Sequence, residues 1–408
     1  MKPALISLFT GAGGLDLGFE AAGFRTRAAG EVDPRCCETI KANRRWPLIC
    51  GDLNNVSTSD LLSVSGLSPG EAAVLIGGPP CQPFSKSGFW ATGDVRRLQD
   101  PRAATIETFL RVLAESRPRA FLLENVEGLA FKGKSDVLTL VQSRLEAINA
   151  AHGTRYKASI AILNAADYGV PQVRRRAFVI GLASGEPFTF PAPTHADPTE
   201  ESGRPSWITA WDALHDLSEP HRAEHQLRGK WADLLPSIPE GNNYLWHTER
   251  GGGEPLFGWR RRYWSFLLKL AKNAPSWTIQ AQPGPATGPF HWNNRRLSMR
   301  EMSRLQSFPD DYEVTGSLPD VQKQLGNAVP SLLAEVLARA ILTQLTGKRF
   351  IGTPKLLRTR APMPPPRSKK PAPVPSQFLL LRGEHMAHPG TGQGFRARRL
   401  AAASNAAE

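Results

Sequence analysis

Cysteine is scarce in this sequence: the 408 residues contain four, Cys36, Cys37, Cys50 and Cys81. They form neither a CxxC pair nor a dense framework, which argues against a structural zinc site or a disulfide-stapled scaffold and fits reduced thiols. Long apolar runs are also missing. No stretch of about 18 or more apolar residues is present, and the opening MKPALISLF has no small-residue cleavage site. No membrane partner and a cytoplasmic location are therefore expected. Clustered metal ligands and internal repeats are absent too, which sets aside metal chemistry and repeat architectures.

What is present is positive charge. Lys and Arg outnumber Asp and Glu by 50 to 37, for a net charge of +13 and an isoelectric point near 9.9. Residues 351–408 carry +8 of it, leaving the rest of the chain near +5, a balance that suits a polyanionic partner without identifying one. The same stretch, with APMPPPRSKKPAPVP, is poor in core-forming residues and is expected to be a disordered basic tail.

Up to about residue 186, short apolar runs alternate with helix-like stretches: ALISLF, AVLIGG, AFLLENV, ASIAILNA and AFVIGL are separated by residues 15–22, 105–115 and 137–148. That alternation predicts an α/β domain with a doubly wound parallel sheet. Beyond it turn formers are frequent, and eight of the ten tryptophans lie between Trp207 and Trp292, which predicts a second, smaller and irregular domain over residues 187–318. Helical periodicity returns in LLAEVLARAIL, so residues 319–348 are expected to pack back on the first sheet and complete a catalytic domain with residues 1–186.

LFTGAGGLDLGFEAAGF places Gly11, Gly13 and Gly14 between the first strand and a helix beginning near Leu15. Such a turn lets backbone approach a ligand and offers helix N–H donors. A dinucleotide-binding GxGxxG is ruled out because Asp16 stands at its third glycine. Glu31, 20 residues after Gly11, falls at the end of the second strand, where an acidic side chain can accept bonds from ribose hydroxyls. Asp52 in CGDL is placed to accept from an adenine amino group, and Phe9 to wall the base. Together these residues describe an adenosine pocket, with Leu15 and Pro80 included among its contacts.

After AVLI comes GGPPCQPFSKSG, which sets Cys81 at the carboxyl end of a strand behind Pro79 and Pro80, in a shaped loop rather than a core. AFLLENV ends in Glu124 and Asn125, and ADYGVPQVRRRAFVIG carries Gln172, Arg174 and Arg176 into a further strand. In this order, FTGAGG, Glu31, Asp52, GPPCQPFS, DPRAA around Arg102, ENV, PQVRRR, RRLSMREMSRLQSFPDDY and QLGNAVP closely resemble the DNA cytosine C5-methyltransferase family of bacterial restriction-modification type. The blocks span residues 5–345. The resemblance implies a Rossmann-like S-adenosylmethionine-dependent sheet, a target-recognition domain in the middle of the chain, and a cofactor contact at Asn327. Thr105 departs from the pattern, standing where relatives often carry a larger apolar cofactor contact.

The chemistry agrees with those residue types. Cytosine C5 is a poor nucleophile, and a thiolate adding to C6 pushes electron density onto it. Protonated Glu124 would relieve the charge at N3, which calls for a raised carboxyl pKa. One of Arg174 and Arg176 would bond the base O2 and the other orient acidic or phosphate groups, with the assignment open. Double-stranded DNA is the expected partner of a monomeric enzyme, and a restriction endonuclease sharing the site need not form a stable complex with it. The target base must be flipped out, and residues 85–99 are suited to close over DNA. GWRRRYW, followed by Lys269 and Lys272, combines basic and aromatic residues suited to phosphate and base contacts. Two rival readings are a tRNA cytosine methyltransferase, disfavoured by the long recognition region, and a non-enzymatic DNA-binding relative, disfavoured by the complete set of Cys81, Glu124, Arg174 and Arg176.

Overall fold

A computed structural model of the chain describes residues 2–80, 104–130, 136–218, 222–260 and 263–383. The apolar runs become strands β1 (Ala4–Leu8), β2 (Arg25–Glu31), β3 (Leu48–Cys50), β4 (Val74–Gly77), β5 (Ala120–Val126) and β6 (Ser159–Asn164). A two-residue strand, β7 (Gln172–Val173), precedes the long β8 (Arg175–Leu182). The central sheet has the order β3-β2-β1-β4-β5-β8-β6. Its direction of winding reverses between β1 and β4, so the crevice at their carboxyl ends is the switch point where open α/β sheets bind ligands. The glycine turn follows β1, and the GPPC segment follows β4.

The sheet departs from the fully parallel expectation at one strand. β8 lies antiparallel to both β5 and β6. The connection from β6 runs through a 3-10 turn at Ala165–Tyr168 and β7, with no crossover helix to carry the chain back. Without that crossover the strand can enter only in the opposite direction.

Helices cover both faces. On one, α1 (Gly14–Ala21) packs with a C-terminal helix, Ser331–Thr346, over Leu5, Val74, Ile76, Leu122 and Phe178. A Cβ on Gly18 would lie 2.4 Å from the Ser331 carbonyl oxygen, so only glycine allows this approach. On the same side as α1, α2 (Pro34–Asn43) sends Thr39 to Gln324, and Arg44 just past its end donates to Glu20 of α1. On the other, α3 (Thr58–Ser65), α4 (Ala104–Ser116) and α5 (Asp136–His152) bury Leu61, Phe109, Leu113, Val141 and Leu145 against Leu75 and Phe121.

The middle of the chain contains α6 (Ala210–Leu214), β9 (Ser276–Trp277), which pairs with β7, and α7 (Met299–Leu305). Leu214, Ile279, Leu305, Phe308 and Tyr312 join Ala12 and Leu17 in one cluster, which brings the RRLSMREMSRLQSFPDDY block against the glycine turn. A separate lobe is built around Leu234, Ile238, Tyr244, Leu256, Phe257, Leu267 and Phe290, held by 3-10 turns and isolated bridges. The chain returns to the sheet through α8 (Leu318–Asn327) and α9 (Ser331–Thr346). The stretch Leu318–Thr346 is apolar enough for a membrane span by composition, but most of it is buried in the fold, and Pro330 separates its two helices.

The expectation of a disordered tail fails for residues 351–383. Ser376–Leu379 forms a short helix, α10, that places Phe378 and Leu381 in the core of the lobe. Phe378 stacks on Trp231 with ring centroids 6.0 Å apart. Composition counts only the apolar residues a segment can bury by itself; this one orders by borrowing the lobe's surface. Residues 384–408 lie outside the described residues.

Candidate active site

At the end of β1 the chain turns sharply: Phe9, Gly11 and Gly13 take left-handed φ values of 55°, 57° and 83°. Glu31, at the end of the neighbouring β2, secures this turn. One carboxylate oxygen accepts the Gly11 N–H at 2.7 Å, and the other accepts those of Val32 and Asp33 at 2.9 and 2.7 Å. Burial raises the Glu31 pKa, and the three N–H bonds oppose that rise. Three of roughly four acceptor positions on the carboxylate are thus engaged, leaving about one for a ribose hydroxyl. Asp52 caps the 3-10 turn Leu53–Asn55 through the Asn54 N–H at 2.9 Å and is otherwise exposed. No atom lies within 4 Å of the position of a Cβ on Gly11, so the turn opens onto free space. Leu15 is buried in α1, Asn327 is exposed at the end of α8, and Pro80 is exposed after β4.

Beside this pocket, β5 carries Glu124, which is 8% exposed. Burial pushes its carboxyl pKa up, while the Arg176 and Arg174 charges pull it down. The Arg176 Nε stands 3.2 Å from Glu124 Oε1. A Cβ on Gly78 would lie 3.0 Å from the other carboxylate oxygen, and the Asn125 amide donates to the Pro79 carbonyl at 3.3 Å. The turn that leads to Cys81 is therefore tied to the strand of Glu124. Cys81 itself, Arg102 and residues 85–99 lie outside the described residues.

The C-5 cytosine-specific DNA methylase family model matches residues 4–343, more than four-fifths of the chain. The chain belongs to the C-5 cytosine-specific DNA methylases. The methylase is 40% identical over 369 residues to the type II methyltransferase M.SacI of Streptomyces achromogenes, covering 84% of this chain and 93% of that one. It is 33% identical over 348 residues to M.NgoFVII of Neisseria gonorrhoeae, with coverages of 84% and 87%. Solved structures of the Entamoeba histolytica methyltransferase EhMeth (16% identity, TM-score 0.58, 85% and 99% covered) and of S. pombe Dnmt2 (17%, 0.57, 85% and 100%) share its fold. S-adenosylmethionine is the methyl donor of this family, and the open glycine turn beside Glu31 fits an adenosine group.

In the methylase the two arginines are not interchangeable. Arg176 faces Glu124, whereas Arg174, in the break between β7 and β8, is buried and donates to the carbonyls of Ile279 and Gly326 at 3.3 and 2.7 Å. Its Nε has no partner among the described residues, and burial pushes its pKa down. Gln172 acts in the same direction, donating to the Leu305 carbonyl at 3.1 Å and accepting from the Ile279 N–H at 3.3 Å. The QxRxR pattern therefore joins the sheet to the middle of the chain through its first two members.

Two residues were missed at the sequence level. Tyr312 donates to the Ala12 carbonyl at 2.9 Å, bracing the glycine turn from the opposite side to Glu31. Asp16, fully buried in α1, accepts from the Ser7 hydroxyl at 2.9 Å, and burial raises its pKa to about 7. The spacing of FPDDY gives no sign of the first contact, 300 residues away in sequence. An acidic residue replacing a motif glycine on an otherwise apolar helix was the available signal for the second.

The phosphate-contact reading of Lys269 and Lys272 is corrected. Lys269 is buried, donates to the Ile238 carbonyl, and has its pKa lowered to about 8 by desolvation. Lys272 pairs with Glu240 under the Trp292 ring. Their neighbours Leu267, Leu268 and Leu270 are core, and the irregular backbone turns the lysines inward with them. By contrast, Trp259, Trp264 and Trp277 are exposed, and Arg250 lies 4.5 Å over the Trp259 ring. Arg260 is exposed, and Arg261 lies outside the described residues.

Proposed function

We propose that this methylase modifies C5 of a cytosine flipped out of double-stranded DNA, through a transient bond between Cys81 and C6, at a sequence read by the middle domain. The observation that carries this reading is Glu124: a buried carboxyl with a raised pKa, held at 3.2 Å by Arg176, beside the Gly78–Pro80 turn that precedes Cys81 in the sequence. The Cys81 thiolate adds to C6, and protonated Glu124 gives its proton to N3, so the electron pair displaced from the C5–C6 double bond becomes available at C5. Arg176 holds the Glu124 carboxyl and is assigned to the base O2. Bound S-adenosylmethionine supplies an electrophilic methyl group. Loss of the C5 proton to a base then restores the double bond and expels the Cys81 thiolate, and N3 returns its proton to Glu124, leaving a methylated ring.

Glu31, Asp52 and Asn327 are assigned to the cofactor, along with Phe9, Leu15, Pro80 and the turn glycines. Arg174 is assigned to holding the middle of the chain against the sheet. The exposed tryptophans with Arg250 and Arg260 make the lobe the groove-reading surface, because aromatic and basic side chains together supply base and phosphate contacts. The type II relatives support a place in a restriction-modification pair. In this reading the enzyme acts as a monomer and forms no stable complex with the endonuclease. Bisulfite sequencing of duplex DNA and of tRNA incubated with the enzyme tests the reading. It predicts protected cytosines in one short sequence on duplex DNA alone; modification of tRNA but not duplex would overturn it.

A further inference from the structure

The segment after α9 is fastened at three places. At its start, buried Glu335 accepts the backbone N–H groups of Lys355 and Leu356 at 2.7 and 2.8 Å, and Leu356 and Leu357 pack on the sheet's core. In the middle, Arg358 pairs with Asp310, Arg360 donates to the Ser206 and Trp207 carbonyls, and the Ala361 N–H donates to Asp212 at 2.8 Å. At the far end, the Ala372 N–H donates to the Pro236 carbonyl at 3.0 Å, and Phe378 and Leu381 enter the lobe's core. Between the last two lies PMPPPRSKKP, whose prolines favour an extended polyproline conformation that acts as a semi-rigid spacer.

We infer that residues 352–381 form a strap that sets the orientation of the lobe against the catalytic sheet, making Arg358, Arg360 and Phe378 positioning residues for methylation. This rests on the reading that the lobe recognises DNA. A flexible connection anchored at one end would leave that orientation to the contacts elsewhere in the chain, among them the Gln172 and Arg174 bonds and the Lys272–Glu240 pair. A stiff one, tied to Glu335 under the sheet and to Trp231 in the lobe, adds a further restraint far along the chain from those. A base presented to Glu124 by a lobe displaced by about 1 Å reacts on the order of 100-fold more slowly. The strap therefore acts first on DNA-dependent steps: its bonds go to Glu335, Asp310, Asp212 and the lobe, not to Glu31, Asp52, Asn327 or the turn glycines.

The test compares the wild type with Arg358→Ala/Arg360→Ala, Arg358→Lys/Arg360→Lys, Phe378→Ala and Arg260→Ala, each assayed well below its own unfolding temperature. S-adenosylhomocysteine affinity, KM and kcat on duplex DNA, and the rate ratio between the preferred site and a one-base variant are measured. The strap predicts unchanged S-adenosylhomocysteine affinity, with KM raised and the rate ratio reduced by about tenfold in the alanine pair and in Phe378→Ala, and partial recovery in the lysine pair. Lower unfolding temperatures with unchanged KM and rate ratio would reduce the segment to a stabilising strut and overturn the inference. If Phe378→Ala does not fold, the arginine pair at the surface decides. A change of rate ratio in Arg260→Ala alone leaves the lobe reading standing and removes the strap; no change in any variant removes both.

Discussion

Replacing Asp16 by Asn should make the enzyme's stability less sensitive to pH. The carboxyl is fully buried, and its pKa rises from the ordinary 3.8 to about 7, because desolvation outweighs the bonds from Ser7 and Thr26. A folded-state pKa above the unfolded value in an acid means that the folded form holds its proton longer. The ionisation therefore costs nothing below about pH 4, grows as pH rises through the interval, and is complete above pH 7. The full cost is about 4 kcal/mol, of which about 2 to 3 kcal/mol develops between pH 5 and pH 8. An asparagine keeps the shape and an acceptor for the Ser7 hydroxyl but carries no charge to desolvate. Urea unfolding of the wild type and of Asp16→Asn at pH 5 and pH 8 measures the difference, and all other titrating groups are common to both. The variant should gain on the wild type by about 2 to 3 kcal/mol over that range. Parallel pH dependences would show that Asp16 is ionised at little cost in the folded protein and would refute the reasoning.

Gly14→Ala should lower stability by about 1 to 3 kcal/mol, since its methyl would stand 2.3 Å from the Val329 carbonyl oxygen; thermal unfolding checks it. Tyr312→Phe removes the bond to the Ala12 carbonyl and should weaken S-adenosylhomocysteine binding about fivefold, for a loss of about 1 kcal/mol, by titration calorimetry. In Arg176→Gln the charge that lowers the Glu124 pKa is gone, so kcat should fall and the alkaline limb of the pH–rate profile should move to higher pH.

Among the described residues up to 182, the strands were legible because their signals are local. An apolar run followed by glycines or an acidic residue marks a strand end, and Gly11, Glu31 and Asp52 stand at or just past such ends, with Glu124 two residues before the last of β5. Reading every strand as parallel failed at β8, where direction depends on the lack of a helix between β6 and β8 rather than on the strand's own residues. The lobe was not legible: its core residues sit on 3-10 turns without a repeating period, so Lys269 and Lys272 looked like surface cations beside a basic run. The far end of the chain was misread for a related reason. Phe378 and Leu381 bound a short four-residue apolar run just after the prolines, and their burial depends on Trp231, about 150 residues earlier. Arg174 was legible as important but not as buried, because its partners Ile279 and Gly326 are remote carbonyls.

Trapping on 5-fluorocytosine tests the covalent route most directly. A duplex carrying that base at the target position can accept the methyl group, but fluorine cannot leave as a cation, so the bond from Cys81 to C6 should persist. The account predicts a denaturation-resistant protein–DNA complex that requires S-adenosylmethionine, is absent in Cys81→Ala, and forms far more slowly in Glu124→Gln. Trapping that survives in Cys81→Ala, or methylation of ordinary duplex by a preparation that never traps, would contradict it.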